Sequence, residues 1–177
     1  MTQMEIVNRV AQSGIEVYDL ELLWAGHEVK ELDLAPFLEG GFILREKPFR
    51  SQVAAYDDWQ AFNGVHVALF CSTDALVPMW AYMLVASHLD HARSITMGQK
   101  ADVIREQFAL ALEQEDWTKF SDRIVVVKGC GSGIVPESAY ARATRELQKV
   151  SRKVMFGEPC SSVPIWRRPK EKVPPSA

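Results

Sequence analysis

The stretch Arg123-Ile124-Val125-Val126-Val127-Lys128-Gly129-Cys130-Gly131-Ser132-Gly133, with Pro136 shortly after, decides how this chain folds. A short β-branched run, a glycine-rich turn and a proline at a helix start together make the strand–loop–helix joint of a βαβ unit. Proline suits the first helical turn because its missing N–H has no intrahelical acceptor there. The helix it opens is expected to last to about Lys149.

The same rhythm extends in both directions. Upstream, Val65-His66-Val67-Ala68-Leu69-Phe70 reads as a strand and Pro78 to Leu89 as a helix, before a short run Arg93-Ser94-Ile95-Thr96-Met97 that stops at Gly98. The following helix, from about Ala101 to Glu115, carries Val103, Ile104, Phe108, Leu110, Ala111 and Leu112 as an apolar stripe. Downstream, Lys153-Val154-Met155-Phe156 ends at Gly157-Glu158-Pro159 and leads to Cys160. Strands joined by helical crossovers pair in parallel, so the expected fold is α/β: a parallel, Rossmann-like sheet of about four strands with helices on both faces. Residues 1–64 differ in texture. Ile15 to Leu20 and His27 to Leu34 read as extended and Pro36 to Tyr56 as mostly helical, an α+β extension that covers a sheet face or adds an edge. The expected organisation is a single domain over 1–166, with 65–166 as the βα repeat core and 167–177 as a disordered, basic and proline-rich tail.

Composition narrows the function classes. With 177 residues, 47% hydrophobic and 24% charged, the chain has enough apolar material for a real core. Its formal charge of −3 is spread without a basic stripe, which argues against nucleic acid as a partner. No apolar run is long enough for a bilayer, and Glu5, Asn8 and Arg9 interrupt the start where a signal peptide needs an apolar core, so the expected location is cytoplasmic. Three cysteines are too few and too odd in number for a disulfide scaffold.

A repeat links the joints: Val77-Pro78-Met79-Trp80-Ala81-Tyr82 matches Val135-Pro136-Glu137-Ser138-Ala139-Tyr140, and Cys160-Ser161-Ser162-Val163-Pro164 is a truncated third copy. The first two copies follow a cysteine by a few residues, and the third begins with one. Cys71, Cys130 and Cys160 therefore all fall at strand carboxyl ends, where open parallel sheets bind ligands. Soft thiolates gathered from several loops suit zinc, iron or an iron–sulfur cluster, with Asp74 or Glu158 as a supporting ligand. Around one ion the sulfurs would lie about 3.5 to 4 Å apart, and the expectation is that all three converge. His88 and His91 close a helix that starts at this edge, so they belong at the opposite end of the sheet.

Other readings remain open. Lys128, Gly129, Gly131, Ser132 and Gly133 could hold an anion through backbone N–H groups and the lysine, with Cys130 as a reactive thiol, which would make the chain an enzyme or anion-binding module. The glycines could instead serve only the turn, the simpler reading. Cysteines are also among the most buried residues, so a metal-free interaction protein with cysteines as packing is the third reading. No Cys-x-x-Cys and no Gly-x-Ser-x-Gly is present.

Several segments carry a resemblance: Glu5-Ile6-Val7-Asn8-Arg9-Val10-Ala11-Gln12-Ser13-Gly14, Cys71-Ser72-Thr73-Asp74-Ala75-Leu76-Val77-Pro78-Met79-Trp80-Ala81-Tyr82, Lys128-Gly129-Cys130 and Gly157-Glu158-Pro159-Cys160-Ser161-Ser162-Val163-Pro164. With these the chain resembles the bacterial family known as domain of unknown function 2480 over nearly its whole length. The resemblance implies no activity. It implies an association with gene neighbourhoods of iron–sulfur cluster assembly, hence a protein partner in metal or iron–sulfur metabolism. A homo-oligomer is compatible with everything above.

Overall fold

The computed structural model describes residues 14–24, 26–129 and 131–169. The elements are mixed α/β: strands β1 (Ile15–Asp19), β2 (Val29–Asp33), β3 (His66–Phe70), β4 (Ser94–Met97), β5 (Ile124–Lys128), β6 (Lys153–Phe156) and β7 (Val163–Arg167), with helices α1 (Glu46–Ala55), α2 (Met79–Ala86), α3 (Lys100–Gln114) and α4 (Glu137–Val150). Short 3-10 turns at Leu20–Leu23, Ala35–Phe37, Trp59–Phe62 and Trp117–Phe120 join them. The four expected strands and the helices between them lie within a few residues of where periodicity puts them. No helix among the described residues is long and apolar enough to cross a membrane.

The expectation of one sheet requires correction. The strands form two sheets, one of order β1-β5-β6-β7 and one of order β2-β3-β4. All pairings are parallel except β6 with β7. The cause is the N-terminal third. A strand has two hydrogen-bonding edges; β2 and β4 take both edges of β3, and β1 and β6 take both edges of β5. The early segments thus add an edge, as one of the two expectations held, but one edge to each of two sheets. The third Val-Pro copy opens no helix. It becomes β7, where Pro164, lacking an N–H, is tolerated on an edge strand.

Two compact units follow from this pairing: a middle unit, Ala25–Gln107, and a split unit made of Met1–Trp24 with Phe108–Ala177. In the middle unit Leu32, Leu34, Phe37, Phe49, Val53, Val67, Leu69, Ala81 and Val85 form one apolar cluster. In the split unit Leu20, Phe108, Leu112, Phe120, Val125, Val126, Ala139, Ala143 and Leu147 are buried. Successive residues of β3 (Val67, Ala68, Leu69) and of β5 (Val125, Val126, Val127) are all buried, so both faces of each central strand are covered.

The two units are copies of one design. Trp59 and Trp117, Phe62 and Phe120, Pro78 and Pro136, Ala81 and Ala139, Tyr82 and Tyr140, and Leu89 and Leu147 stand at one constant spacing along the chain. Hydrogen bonds repeat with them. Gly64 N–H donates to His91 O at 2.8 Å and Asp122 N–H to Val150 O at 3.0 Å, both from a left-handed residue with φ of 71° and 57° respectively. After the third strand of each unit, Gly98 N–H donates to Leu69 O and Gly157 N–H to Val127 O, both at 3.0 Å. The first strands match as well: Asp19 and Asp33 end β1 and β2, and their carboxylates accept the N–H of Glu21 at 3.0 Å and of Ala35 at 2.9 Å.

Candidate functional site at the strand carboxyl edges

In the split unit, Asp19 of β1 lies in register with Lys128, the last residue of β5. The Lys128 ammonium is 3.4 Å from Asp19 Oδ2 and 3.7 Å from Glu158 Oε1, which belongs to the loop after β6. The hydrogen bond to Asp19, followed by the charge of Glu158, holds this ammonium above its ordinary value, so it stays protonated at neutral pH. Glu21 completes the cluster by turning to the glycine loop. Its Oε1 accepts the Ser132 N–H at 2.6 Å and the Ser132 hydroxyl at 2.9 Å. These two bonds, the backbone one foremost, hold the Glu21 carboxyl below the usual carboxylate range. Three carboxylates against one ammonium leave this edge net negative.

The glycine loop is shaped by close approach. Gly129 has φ of 147° and is buried, and a Cβ there would meet Leu20 Cβ at 3.1 Å and the Tyr140 hydroxyl and Val135 Cγ2 at 3.2 Å. The Tyr140 hydroxyl donates to Gly129 O at 2.6 Å, tying α4 to the end of β5. Ser132 spends its N–H and hydroxyl on Glu21, so an anion seated on that part of the loop would have to displace a carboxylate.

In the middle unit the corresponding edge is quieter. Asp33 lies in register with Phe70, and its carboxylate accepts from the Ser72 N–H at 2.9 Å and the Ser72 hydroxyl at 2.5 Å. Burial opposes the charge, but these bonds and that of Ala35 outweigh it and keep Asp33 below its ordinary value. Cys71 is half-buried, with Sγ 3.4 Å from Thr73 Oγ1. Because the Thr73 hydroxyl gives its proton to Gly41 O at 2.6 Å, the thiol is the donor in that contact. Asp74 is exposed, and the residue capping α2 is Pro78.

Two of the cysteines leave different sheets. Cys71 follows β3 in one sheet; Cys160, exposed, follows β6 in the other. Cys130 lies outside the described residues, directly after Gly129 in sequence. Among the described residues no three His, Cys, Asp or Glu side chains form a group that could hold a metal ion. The histidines lie where expected: His91 O accepts from Gly64 ahead of β3, at the end opposite Cys71, and the His88 ring stacks on Trp59 at 4.9 Å. Sequence reasoning missed Asp19, Glu21 and Asp33. The signal was present in Tyr18-Asp19-Leu20 and Leu32-Asp33-Leu34, an acid at the same place in two short extended runs.

None of the curated proteins and none of the solved structures compared with the chain matches it. One family does, described as "Protein of unknown function (DUF2480)", over residues 4–168. The chain, from its first extended run through β7, belongs to the DUF2480 family.

Proposed function

We propose that the protein is a metal- or iron–sulfur-binding accessory protein whose ligand site is the carboxyl edge of β1-β5-β6. The observation that carries this reading is the surplus of carboxylates, Asp19, Glu21 and Glu158, around Lys128 at the edge from which the Cys130 and Cys160 loops leave adjacent parallel strands. Neighbouring strands lie about 4.8 Å apart, so loops from β5 and β6 can bring two thiolates to one ion. Cys130 and Cys160 supply soft ligands, Glu158 a hard one, and the negative surroundings favour a cation such as zinc or ferrous iron. Lys128 neutralises part of the cluster when the ion is absent. We read both units as Rossmann-like halves, with this crevice outside the strand ends as the binding place. Cys71 and Asp74 leave the other sheet and are secondary to the reading.

The test is metal content by mass spectrometry on protein purified without chelator and reconstituted anaerobically with zinc or ferrous iron. About one ion, or one cluster, per chain is expected, lost in Cys130→Ser and in Cys160→Ser. Protein that takes up no metal, or variants that keep all of it, would replace this reading with a reactive thiol or with packing.

A further inference from the structure

The duplicated design places a cleft at the same point of each unit, and the two clefts are furnished differently. In the split unit the cleft, of about 620 Å³, is lined by Tyr18, Asp19, Leu22, Leu23, Glu115 and Lys119 among others. In the middle unit a cleft of about 530 Å³ is lined by residues at matching positions, Leu32, Asp33, Pro36, Phe37 and Asp57, together with Tyr56.

The split unit supplies its own cation. The Lys119 ammonium lies 2.8 Å from Glu115 Oε1, with the Tyr18 and Phe120 ring centroids at 5.7 Å and 5.0 Å. The Tyr18 hydroxyl donates to the other Glu115 oxygen at 3.0 Å. An ammonium between a carboxylate and aromatic faces is held by charge and by the ring quadrupoles together.

At the position of Lys119 the middle unit has Ala61; the Lys30 ammonium donates to the Ala61 carbonyl at 2.8 Å but is not among the residues that line the cleft. The acid is kept as Asp57, the strand-end acid as Asp33, and aromatic rings are present as Tyr56 and Phe37, 5.6 Å apart. Among the described residues neither Asp33 nor Asp57 makes an ion pair, and the Asp33 charge is met by neutral donors alone. We propose that the middle-unit cleft binds an alkylammonium or alkylguanidinium ion supplied from outside the unit, its charge between Asp33 and Asp57 and its stem along Leu32, Pro36 and Phe37. The cation that one copy of the design holds in cis, the other takes in trans. The cleft is large enough for a lysine or arginine side chain or a free amine of that size. It belongs to the unit that does not carry the proposed metal site, so either proposal can fail alone.

The full chain, labelled with nitrogen-15, is titrated with butylammonium chloride and butylguanidinium chloride, and with 1-butanol as the neutral isostere, at constant ionic strength. Saturable shifts at the Tyr56 and Asp57 amides are expected for the cations and not for butanol. Asp57→Asn, at an exposed position, should weaken cation binding about two- to five-fold, and Ala61→Lys, which restores an internal ammonium, should abolish it. Tighter binding of Nα-acetyl-lysine-N-methylamide than of butylammonium would assign the cation to a protein side chain, the reverse order to a free amine. Equal binding of butanol, or unchanged cation binding in Asp57→Asn, would overturn the proposal whether or not Ala61→Lys folds.

Discussion

The two units share a frame and differ at its working edge. Tryptophan, phenylalanine, the Val-Pro helix start, the buried alanine and the tyrosine recur at matching positions because each has a steric task that both copies need. Ala81 and Ala139, for example, are buried at 0% and 1% at the first turn of α2 and α4, where a longer side chain would push the helix off its sheet. At the strand ends the copies part: Lys128 and Gly129 in the split unit stand where Phe70 and Cys71 stand in the middle unit. Conserved frame with divergent edge is the pattern left when a duplicated scaffold keeps its packing and gives its two crevices different occupants.

If the frame is shared energetically as well as geometrically, equivalent core deletions should cost alike. Phe62→Ala and Phe120→Ala are each expected to destabilise by about 3–5 kcal/mol in urea unfolding. Phe120, with the Lys119 ammonium 5.0 Å from its ring, should lose up to about 1 kcal/mol more. A large effect in one unit with almost none in the other would break the equivalence.

The divergent edge should respond unequally. Gly129→Ala forces a Cβ onto Leu20, Val135 and the Tyr140 hydroxyl at a φ that disfavours side chains, and about 1–3 kcal/mol of stability should be lost. At the matching position, Cys71→Ala removes one weak thiol contact and should cost under about 1 kcal/mol. Similar losses from both would mean that the glycine has no special steric role.

The smallest effect separates the copies by pH. His66 in β3 is buried, its Nδ1 2.7 Å from Ser94 Oγ; the matching residue in β5 is Ile124. Burial, followed by the charges of His27 and Arg93, holds His66 below the ordinary histidine value. A depressed folded value means that the unfolded chain binds the proton more readily. Stability should therefore fall as pH drops through about 6.5 towards the folded value, above the range where carboxylates titrate. His66→Ile should flatten the urea midpoint between pH 7.5 and 5.5; an unchanged slope would exclude His66 as its source.

Much of this was legible in the chain itself, because periodicity is local. The β-branched run before Gly129 and the prolines at positions 78 and 136 locate strands and helix starts to within a residue or two. Sheet membership is not local. Ile15-Glu16-Val17-Tyr18-Asp19 and Val29-Lys30-Glu31-Leu32-Asp33 are short and interspersed with charge, which marks an edge strand without saying whose edge. Assigning both to one sheet concealed the division into two, and with it the fact that Cys71 leaves a different sheet from Cys160. Two carboxylates of the candidate site were missed for the same reason: Asp19 and Glu21 meet Lys128 and Ser132 only through the parallel pairing of β1 with β5.

The central claim, that the split unit's edge and not the middle unit's is the metal-binding one, is tested most directly by cobalt(II) titration of the reduced chain, following thiolate-to-metal charge-transfer absorption. The account predicts saturable absorption in the unaltered protein and in Cys71→Ser, with loss in Cys130→Ser and in Cys160→Ser. Absorption that survives in both of those variants but disappears in Cys71→Ser would contradict it.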